Sequence, residues 1–242
     1  MTPPISAIIW DFDGTLVDTR QRNFNVVRRL LTDATDKSPD QIPALRSAEF
    51  YDGVTRRYVN WRQLYLEEFG FSEEETDRIG RLWSQYQLSD DTPVTVFDGI
   101  REALAELTPV RHGVVSQNAE AQIRRTLDGA EIAHHFRFVI GYDGVHITRQ
   151  KPEPDGLLAC LEALTGFGPA RALYIGDHET DIKCAQNAQR VLRDRKLDIE
   201  IQSVAATFLD NGAPHEWHTR PDFVARHPRD LISITRVLQP ET

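Results

Sequence analysis

Short β-rich apolar runs that alternate with helical patterns restrict the fold of this 242-residue chain more than any other feature. The predicted strands are 5–10, 110–116, 136–141, 171–176 and 199–204. Helical patterns follow the strands or lie between them at 98–107, 119–127, 155–164 and 179–188. Such alternation predicts an α/β protein with a parallel sheet that is covered by helices on both faces.

Polar side chains stand at the ends of three of these strands. They are Asp11 with Asp13, Ser116 with Asn118, and Asp177. Ligands of open parallel sheets bind at the carboxyl ends of the strands. We therefore expect these side chains to face a common site at one edge of the sheet.

Residues 19–95 contain helical patterns only. The predicted helices are 21–32, 54–69 and 72–88. A helical block inserted after the first strand predicts a separate small domain, so we expect a core of residues 1–18 and 96–242 and an all-helical domain of residues 19–95. Gly, Pro, His and Trp over 209–221 predict a loop, and 230–238 predicts a closing helix.

The charge and the apolar content restrict the partners. A formal net charge of -9 disfavours a general nucleic-acid binder and a polybasic membrane-surface protein, since both need basic faces. An anionic substrate stays open, because a bound cation inverts the field of an acidic site. No signal peptide and no apolar run near the roughly 20 residues of a membrane span is found. We expect a soluble, cytoplasmic protein in which Cys160 and Cys184 are reduced and buried.

The segment Asp11-Phe-Asp-Gly-Thr15 is the strongest indication of chemistry. Two carboxylates at the end of a buried strand raise each other's pKa or hold a cation. A hard divalent ion with oxygen ligands resolves the repulsion, and Gly14 permits a sharp turn. A plain Asp-Gly turn remains an alternative for this segment alone, whereas the spacing of an EF-hand calcium loop is absent.

Three later segments favour a functional site over a plain turn. Asp177 follows a strand, and Asp181 falls in the first turn of a helix predicted to begin near Glu179, where the helix dipole stabilises its charge. Lys151 opens a proline-rich loop, and Ser116 ends a strand. Each has an ordinary alternative as a helix cap, a solvated lysine or a turn residue. Their occurrence together and in this order is the stronger argument.

The order of these motifs resembles the haloacid dehalogenase-like hydrolases over nearly the whole chain. The matching segments are Asp11-x-Asp13-Gly14-Thr15, Ser116, Lys151-Pro152 and Gly176-Asp177-x-x-x-Asp181. The resemblance implies a Rossmann-like core with an inserted helical cap of the C1 type, in the branch similar to phosphoglycolate phosphatases. Ser116 stands where threonine is common, His178 stands where a small residue is common, and 190–217 does not match the usual short ending.

The resemblance implies a Mg²⁺-dependent phosphatase. Asp11 is then the nucleophile that forms an aspartyl-phosphate, and Asp13 is the general acid and afterwards the general base. Mg²⁺ is held by the Asp11 carboxylate, the main-chain carbonyl of Asp13 and Asp177. Asp181 acts through a metal-bound water or by positioning Lys151.

The same resemblance implies where the substrate binds. Ser116 and Lys151 hold the transferring phosphoryl oxygens, helped by main-chain amides near Phe12 and Asn118. The cap excludes water and selects the substrate. Its predicted second helix carries Arg56, Arg57 and Arg62, which either meet a substrate carboxylate or second phosphate or form a solvated helix face. The expected partner is a small phosphorylated metabolite, and the protein is expected to be a monomer or a homodimer.

Two alternatives share this fold. A β-phosphoglucomutase-like phosphotransferase would use the same residues and transfer the phosphoryl group to a sugar hydroxyl instead of water. An inactive binding module usually loses a charged motif residue, and all are present here. A dehalogenase is disfavoured, because that branch of the family lacks the second aspartate of the first motif, which Asp13 supplies here. A phosphonatase needs a cap lysine, and the only candidate is Lys37, in a polar stretch expected to be exposed.

Overall fold

The computed structural model describes residues 4–58, 60–209 and 214–239. The chain forms two compact units. One consists of Met1–Val17 and Val96–Thr242, and the other of Asp18–Thr95. The second unit begins one residue before the helical domain predicted from the sequence and ends at the same residue.

The first unit is built on a six-stranded sheet in which every pairing is parallel. The strands of the described residues are β1 (Ile5–Trp10), β2 (Val17–Asp18), β3 (Thr95–Val96), β4 (Arg111–Val115), β5 (Phe136–Ile140), β6 (Ala170–Gly176), β7 (Ile199–Ala206) and β8 (Phe223–Ala225). The order across the sheet is β5-β4-β1-β6-β7-β8, whereas β2 and β3 form a separate two-stranded sheet. The predicted α/β fold with a parallel sheet is confirmed.

Helices follow the strands of the first unit and make up most of the second. They are α1 (Arg20–Ala34), α2 (Ala48–Thr55), α3 (Trp61–Gln63), α4 (Glu73–Leu88), α5 (Ile100–Glu106), α6 (Glu120–Gly129), α7 (Asp155–Thr165), α8 (Glu179–Asp194) and α9 (Asp230–Leu238). Helix α8 extends beyond the predicted 179–188 because Val191 and Leu192 continue its apolar face onto the core. The predicted closing helix is confirmed as α9.

Strand β1 lies at the centre of the sheet, between β4 and β6. Its residues from Ala7 to Trp10 are fully buried. A strand that is covered on both faces reads as a continuous apolar run, and burial of each large side chain contributes about 1.5–3 kcal/mol. The central strand therefore holds the residue that follows it, Asp11, on a rigid base.

Strand β8 is absent from the sequence-based prediction, because three residues are too few to show a periodic pattern. Its start is anchored by Asp222, whose Oδ2 accepts hydrogen bonds from the N and Oγ atoms of Ser203 in β7 at 2.8 and 2.7 Å. The loop predicted for 209–221 precedes β8, and its residues 210–213 lie outside the described chain.

The single helix predicted for 54–69 is wrong. Helix α2 ends at Thr55, and α3 begins after Asn60, whose side-chain oxygen accepts a hydrogen bond from the Gln63 amide at 2.9 Å. An asparagine in this position starts a new helix because it satisfies an otherwise unpaired amide. The chain then continues as a π-helical turn over Leu64–Glu68.

Lys37 itself is half-buried, whereas its neighbours Asp36 and Ser38 are exposed. Its Nζ atom donates hydrogen bonds to the carbonyl oxygens of Phe69 and Gly70 at 2.9 and 2.7 Å. It also lies 4.4 Å from the centre of the Phe71 ring. Through these contacts, Lys37 connects the segment after α1 to the loop before α4.

Both cysteines lie in the first unit. Cys160 and Cys184 are buried and free, as expected. Within the described ranges, none of the helices combines the length and the apolar character required to cross a membrane.

A buried histidine of β4, His112, contacts the last residue of β1. The Trp10 Nε1 atom donates to His112 Nδ1 at 3.0 Å, which leaves His112 Nε2 to donate to the Leu107 carbonyl oxygen at 3.1 Å. This network requires a neutral ring with the proton on Nε2. Burial lowers the pKa of His112 to about 4, opposed by the Leu107 carbonyl and reinforced by His135.

We expect the protein to lose stability as the pH falls from about 6.5 to about 4. The pKa of His112 is below its ordinary value in the folded state, so the unfolded chain binds the proton first and acid favours unfolding. This single group contributes about 3 kcal/mol at most. The check is the free energy of urea unfolding at several pH values. His112→Gln should flatten the pH dependence, and His134→Gln, which makes the same replacement at an exposed histidine, should not. An equal slope in wild type and His112→Gln would contradict the assignment.

Candidate active site

The functional side chains predicted from the strand ends lie on three adjacent strands. Asp11 follows β1, Ser116 follows β4, and Asp177 follows β6. Since β4 and β6 are the two neighbours of β1, the three carboxyl ends lie side by side. The main chain continues this arrangement beyond the sheet, because the Asp11 amide donates to the Ile175 carbonyl oxygen at 2.7 Å.

The turn after β1 depends on a glycine. Gly14 has a φ of 74°, and its amide donates to the Val17 carbonyl oxygen at 2.9 Å. A Cβ atom at this position would lie 2.1 Å from Asp177 Oδ2. Glycine is therefore required both for the left-handed backbone and for the approach of the Asp177 carboxylate.

A buried lysine joins two of the predicted carboxylates. Lys151 Nζ donates hydrogen bonds to Asp11 Oδ1 and to Asp181 Oδ1, each at 2.7 Å. Lys151 and Asp11 are each 7% exposed, and Asp181 is 3% exposed. Burial opposes the charge of Lys151, but Asp11 and Asp181 outweigh it and raise the pKa of the lysine above its ordinary value. The ammonium is therefore held charged in the interior.

Asp181 is fixed by further hydrogen bonds in the first turn of α8. Its Oδ2 atom accepts from the His178 amide at 3.2 Å, and its Oδ1 atom accepts from the Tyr174 hydroxyl at 3.2 Å. His178 Nδ1 in turn accepts from the Thr180 amide at 3.1 Å. The capping and functional interpretations of Asp181 are thus compatible. Sequence reasoning missed Tyr174, although a tyrosine in a buried strand signals a hydroxyl that needs a partner.

Three carboxylates form a group that fits a metal ion. Asp11, Asp177 and Asp181 each offer an oxygen, and these oxygens lie within 4.8 Å of one another. Burial raises the pKa of Asp11 well above its ordinary value; Lys151 lowers it, and the carboxylates of Asp181, Asp177 and Asp13 raise it further. A buried all-oxygen set under such repulsion suits a hard divalent cation such as Mg²⁺. The residues present therefore fit the predicted cofactor.

The side chain of Asp13 lies outside this group and has a different neighbour. Asn118 Nδ2 donates to Asp13 Oδ1 and Oδ2 at 3.3 and 3.2 Å. The main-chain N–H of Asn118 donates to Ser116 Oγ at 3.0 Å. Asn118, predicted to bind substrate, is thus joined to the predicted acid and to the predicted phosphoryl-binding hydroxyl.

Gln117 is a further residue that the sequence reasoning missed. Its Nε2 atom donates to the main-chain carbonyl oxygen of Lys151 at 3.1 Å. The loop that carries the lysine is thereby tied to the end of β4. No local pattern marks this contact, because its partners are 34 residues apart.

The predicted arginines do not lie on one helix. Arg56 follows the end of α2 and contacts Asp52 at 3.1 Å, and Arg57 lies 3.6 Å from Glu68. Arg62 in α3 pairs with the two carboxylates of Glu73 and Asp77. All of these partners belong to the helical unit, so the ion pairs of these arginines are formed within that unit.

The fold and the site together define an α/β protein that gathers buried carboxylates and one ammonium at the carboxyl edge of a parallel sheet. The family model "Haloacid dehalogenase-like hydrolase" matches residues 8–191. The chain belongs to this family of hydrolases, as the order of its motifs predicted.

Individual relatives agree with this assignment. The chain is 25% identical over 243 residues to the pyrophosphatase PpaX of Listeria monocytogenes serotype 4a (strain HCC23), with 98% of this chain and 99% of that protein covered. It is 28% identical over 185 residues to phosphoglycolate phosphatase 1 of Pseudomonas aeruginosa, with 75% of this chain and 65% of that protein covered. A solved HAD-superfamily hydrolase of subfamily IA, variant 1, from Geobacter sulfurreducens has the same fold. Its TM-score is 0.63 at 22% identity, with 95% and 99% of the two chains covered.

Proposed function

We propose that this protein is a Mg²⁺-dependent phosphatase that hydrolyses a small phosphomonoester through an aspartyl-phosphate on Asp11. The observation that carries the proposal is the buried contact of Lys151 with both Asp11 and Asp181 at 2.7 Å, beside Asp177. The relatives named above act, by their names, on pyrophosphate and phosphoglycolate. This supports phosphate ester or anhydride chemistry.

In the proposed reaction, an Asp11 carboxylate oxygen attacks the phosphorus atom. Its bond to Lys151 orients the carboxylate, and the ammonium attracts the phosphoryl oxygens as charge develops on them. Ser116 Oγ is available at the adjacent strand end as a second donor. The covalent intermediate divides one difficult displacement into two easier ones.

Asp13 is proposed to protonate the leaving alkoxide and then to deprotonate the attacking water. Acid–base assistance of this kind contributes about 10²–10⁴-fold to the rate. Asp13 is only half-buried, unlike Asp11. That difference suits a group that exchanges protons with a leaving group and with water.

Mg²⁺ would be held by the carboxylates of Asp11 and Asp177 and by the main-chain carbonyl of Asp13. When bound, the ion neutralises phosphoryl charge as the carboxylate approaches. The oxygens of Asp181 already accept from Lys151, Tyr174 and His178. Asp181 is therefore proposed to act mainly by positioning Lys151.

The helical unit is proposed to serve as the cap that selects the substrate. A phosphoglycolate-like acid or a sugar phosphate is the proposed substrate class. Arg56 and Arg57 are proposed to keep their carboxylate partners, Asp52 and Glu68, rather than to bind the substrate directly. A nucleic acid or a membrane is not proposed as a partner, given the net charge of -9.

The test is a screen of the purified protein against small phosphomonoesters, pyrophosphate and an aryl phosphate, with product analysis. We expect phosphate release that ceases in EDTA and returns with added Mg²⁺. The reason is that the buried carboxylates need a cation before an anionic substrate can approach. Full activity in EDTA would remove the metal from the proposal. Recovery of a phosphorylated sugar isomer instead of free phosphate would favour the phosphotransferase alternative.

A further inference from the structure

The amide of Asn118 has a fixed orientation inside the first unit. Its Oδ1 atom accepts a hydrogen bond from the Ala119 amide at 2.9 Å. Its main-chain carbonyl oxygen accepts from the Tyr142 amide at 3.0 Å. Asn118 is 2% exposed. Because Oδ1 is already used by a main-chain donor, the side-chain NH₂ must point the other way.

That NH₂ group points at the carboxylate of Asp13. Nδ2 lies 3.3 and 3.2 Å from the two carboxylate oxygens. Asn118 and Asp13 are 105 residues apart in the chain and follow neighbouring strands, β4 and β1. A buried amide that is anchored to the main chain thus contacts both oxygens of a half-buried acid.

We propose that Asn118 is a positioning residue for Asp13 rather than a ligand of the substrate. The inference rests on the proposed function, in which Asp13 transfers protons. A general acid works only when its carboxyl lies within hydrogen-bond reach of the leaving oxygen. Asn118 restricts the rotation of the Asp13 side chain and so holds it toward the leaving group.

The test uses a series of phosphomonoesters with leaving groups of different acidity. A p-nitrophenolate leaves without a proton, whereas an alkoxide needs one. Asn118→Ala should lower kcat/KM by about 10²-fold for an alkyl phosphate. For p-nitrophenyl phosphate, which does not depend on the acid, the loss should stay within about 5-fold. The plot of log kcat/KM against the leaving-group pKa should therefore become steeper than in wild type.

Two further variants separate positioning from a structural role. Gln189 is a half-buried amide that bonds the main chain at both ends, from Nε2 to the Ile199 carbonyl oxygen at 3.1 Å and from the Ile201 amide to Oε1 at 2.7 Å. Gln189→Ala should lower stability and leave the slope unchanged. Asn118→Asp keeps the shape and removes the donor, so it should steepen the slope even where Asn118→Ala folds poorly.

An equal loss for alkyl and aryl substrates in both Asn118 variants would overturn the inference and favour direct substrate binding. Absence of turnover in the wild-type protein with every substrate would instead overturn the proposed function. Crystal structures of wild type and Asn118→Ala decide the positioning claim without any turnover. We expect the Asp13 carboxylate to be displaced or disordered in the variant. An unchanged Asp13 would sink the inference.

Discussion

Replacing Asp11 with asparagine is expected to lower kcat for an aryl phosphate by at least about 10⁴-fold, the scale seen when a catalytic nucleophile is removed. The amide has the size of the carboxylate but cannot attack phosphorus. The fold should persist, because the ammonium of Lys151 retains its second partner, Asp181. The measurement is steady-state turnover with Mg²⁺, together with circular dichroism and a thermal unfolding curve.

The matched control for this change is Asp194→Asn, which makes the same chemical replacement at an exposed position in the last turn of α8. Its turnover should equal that of wild type. An acid-quenched reaction should trap phosphate on the wild-type protein and none on Asp11→Asn. Turnover by Asp11→Asn within about tenfold of wild type would exclude Asp11 as the nucleophile.

Replacing Lys151 with methionine is expected to destabilise the protein by about 3–5 kcal/mol at neutral pH without metal. The change leaves Asp11 and Asp181 facing each other in the interior without their shared ammonium. It should also abolish turnover, because the phosphoryl oxygens lose a positive partner. Urea unfolding curves measure the first effect, and aryl phosphate hydrolysis measures the second.

The stability effect can be assigned by a double-mutant cycle. Adding Asp181→Asn to Lys151→Met removes one of the stranded charges, so part of the lost stability should return while activity does not. Lys183→Met is the control, since Lys183 is exposed on α8, the helix that carries Asp181. This replacement should change the free energy of unfolding by less than about 0.5 kcal/mol. A Lys151→Met protein as stable as wild type would show that the buried charges do not depend on the lysine.

Local sequence patterns were sufficient for much of the core. The buried strands β1 and β6 could be predicted because each contains a short apolar run, Ala7 to Trp10 and Ala172 to Ile175, that is followed within two residues by an aspartate. The position of Asp181 in the first turn of α8 followed from the helix predicted to begin near Glu179. The break after Thr55 was missed, because a capping asparagine inside an otherwise helical pattern has little weight against the apolar residues around it.

For the functional residues, too, the sequence indicated which residues take part but not which atoms they contact. The motifs named Asp11, Lys151 and Asp181, but nothing local indicated that Asn118 would contact Asp13 or that Tyr174 would contact Asp181. The arginines of the helical unit show the same limit of sequence-based prediction. Their positive charge is visible in the sequence, whereas their pairing with Asp52 and Glu68 depends on how the helices of that unit are arranged.

The sequence by itself determined the order of the five longer strands of the main sheet and of the helices of the first unit. It also determined the chemical identity of the charged groups, because periodicity and residue type are local properties. Only the tertiary structure decided which oxygen each donor reaches. Lys151 and Asp11 are 140 residues apart, and Asn118 and Asp13 are 105 apart. Asp13 and Asn118 meet because the parallel strands β1 and β4 align their carboxyl ends. Lys151 reaches Asp11 because its loop is held against the end of β4 through Gln117.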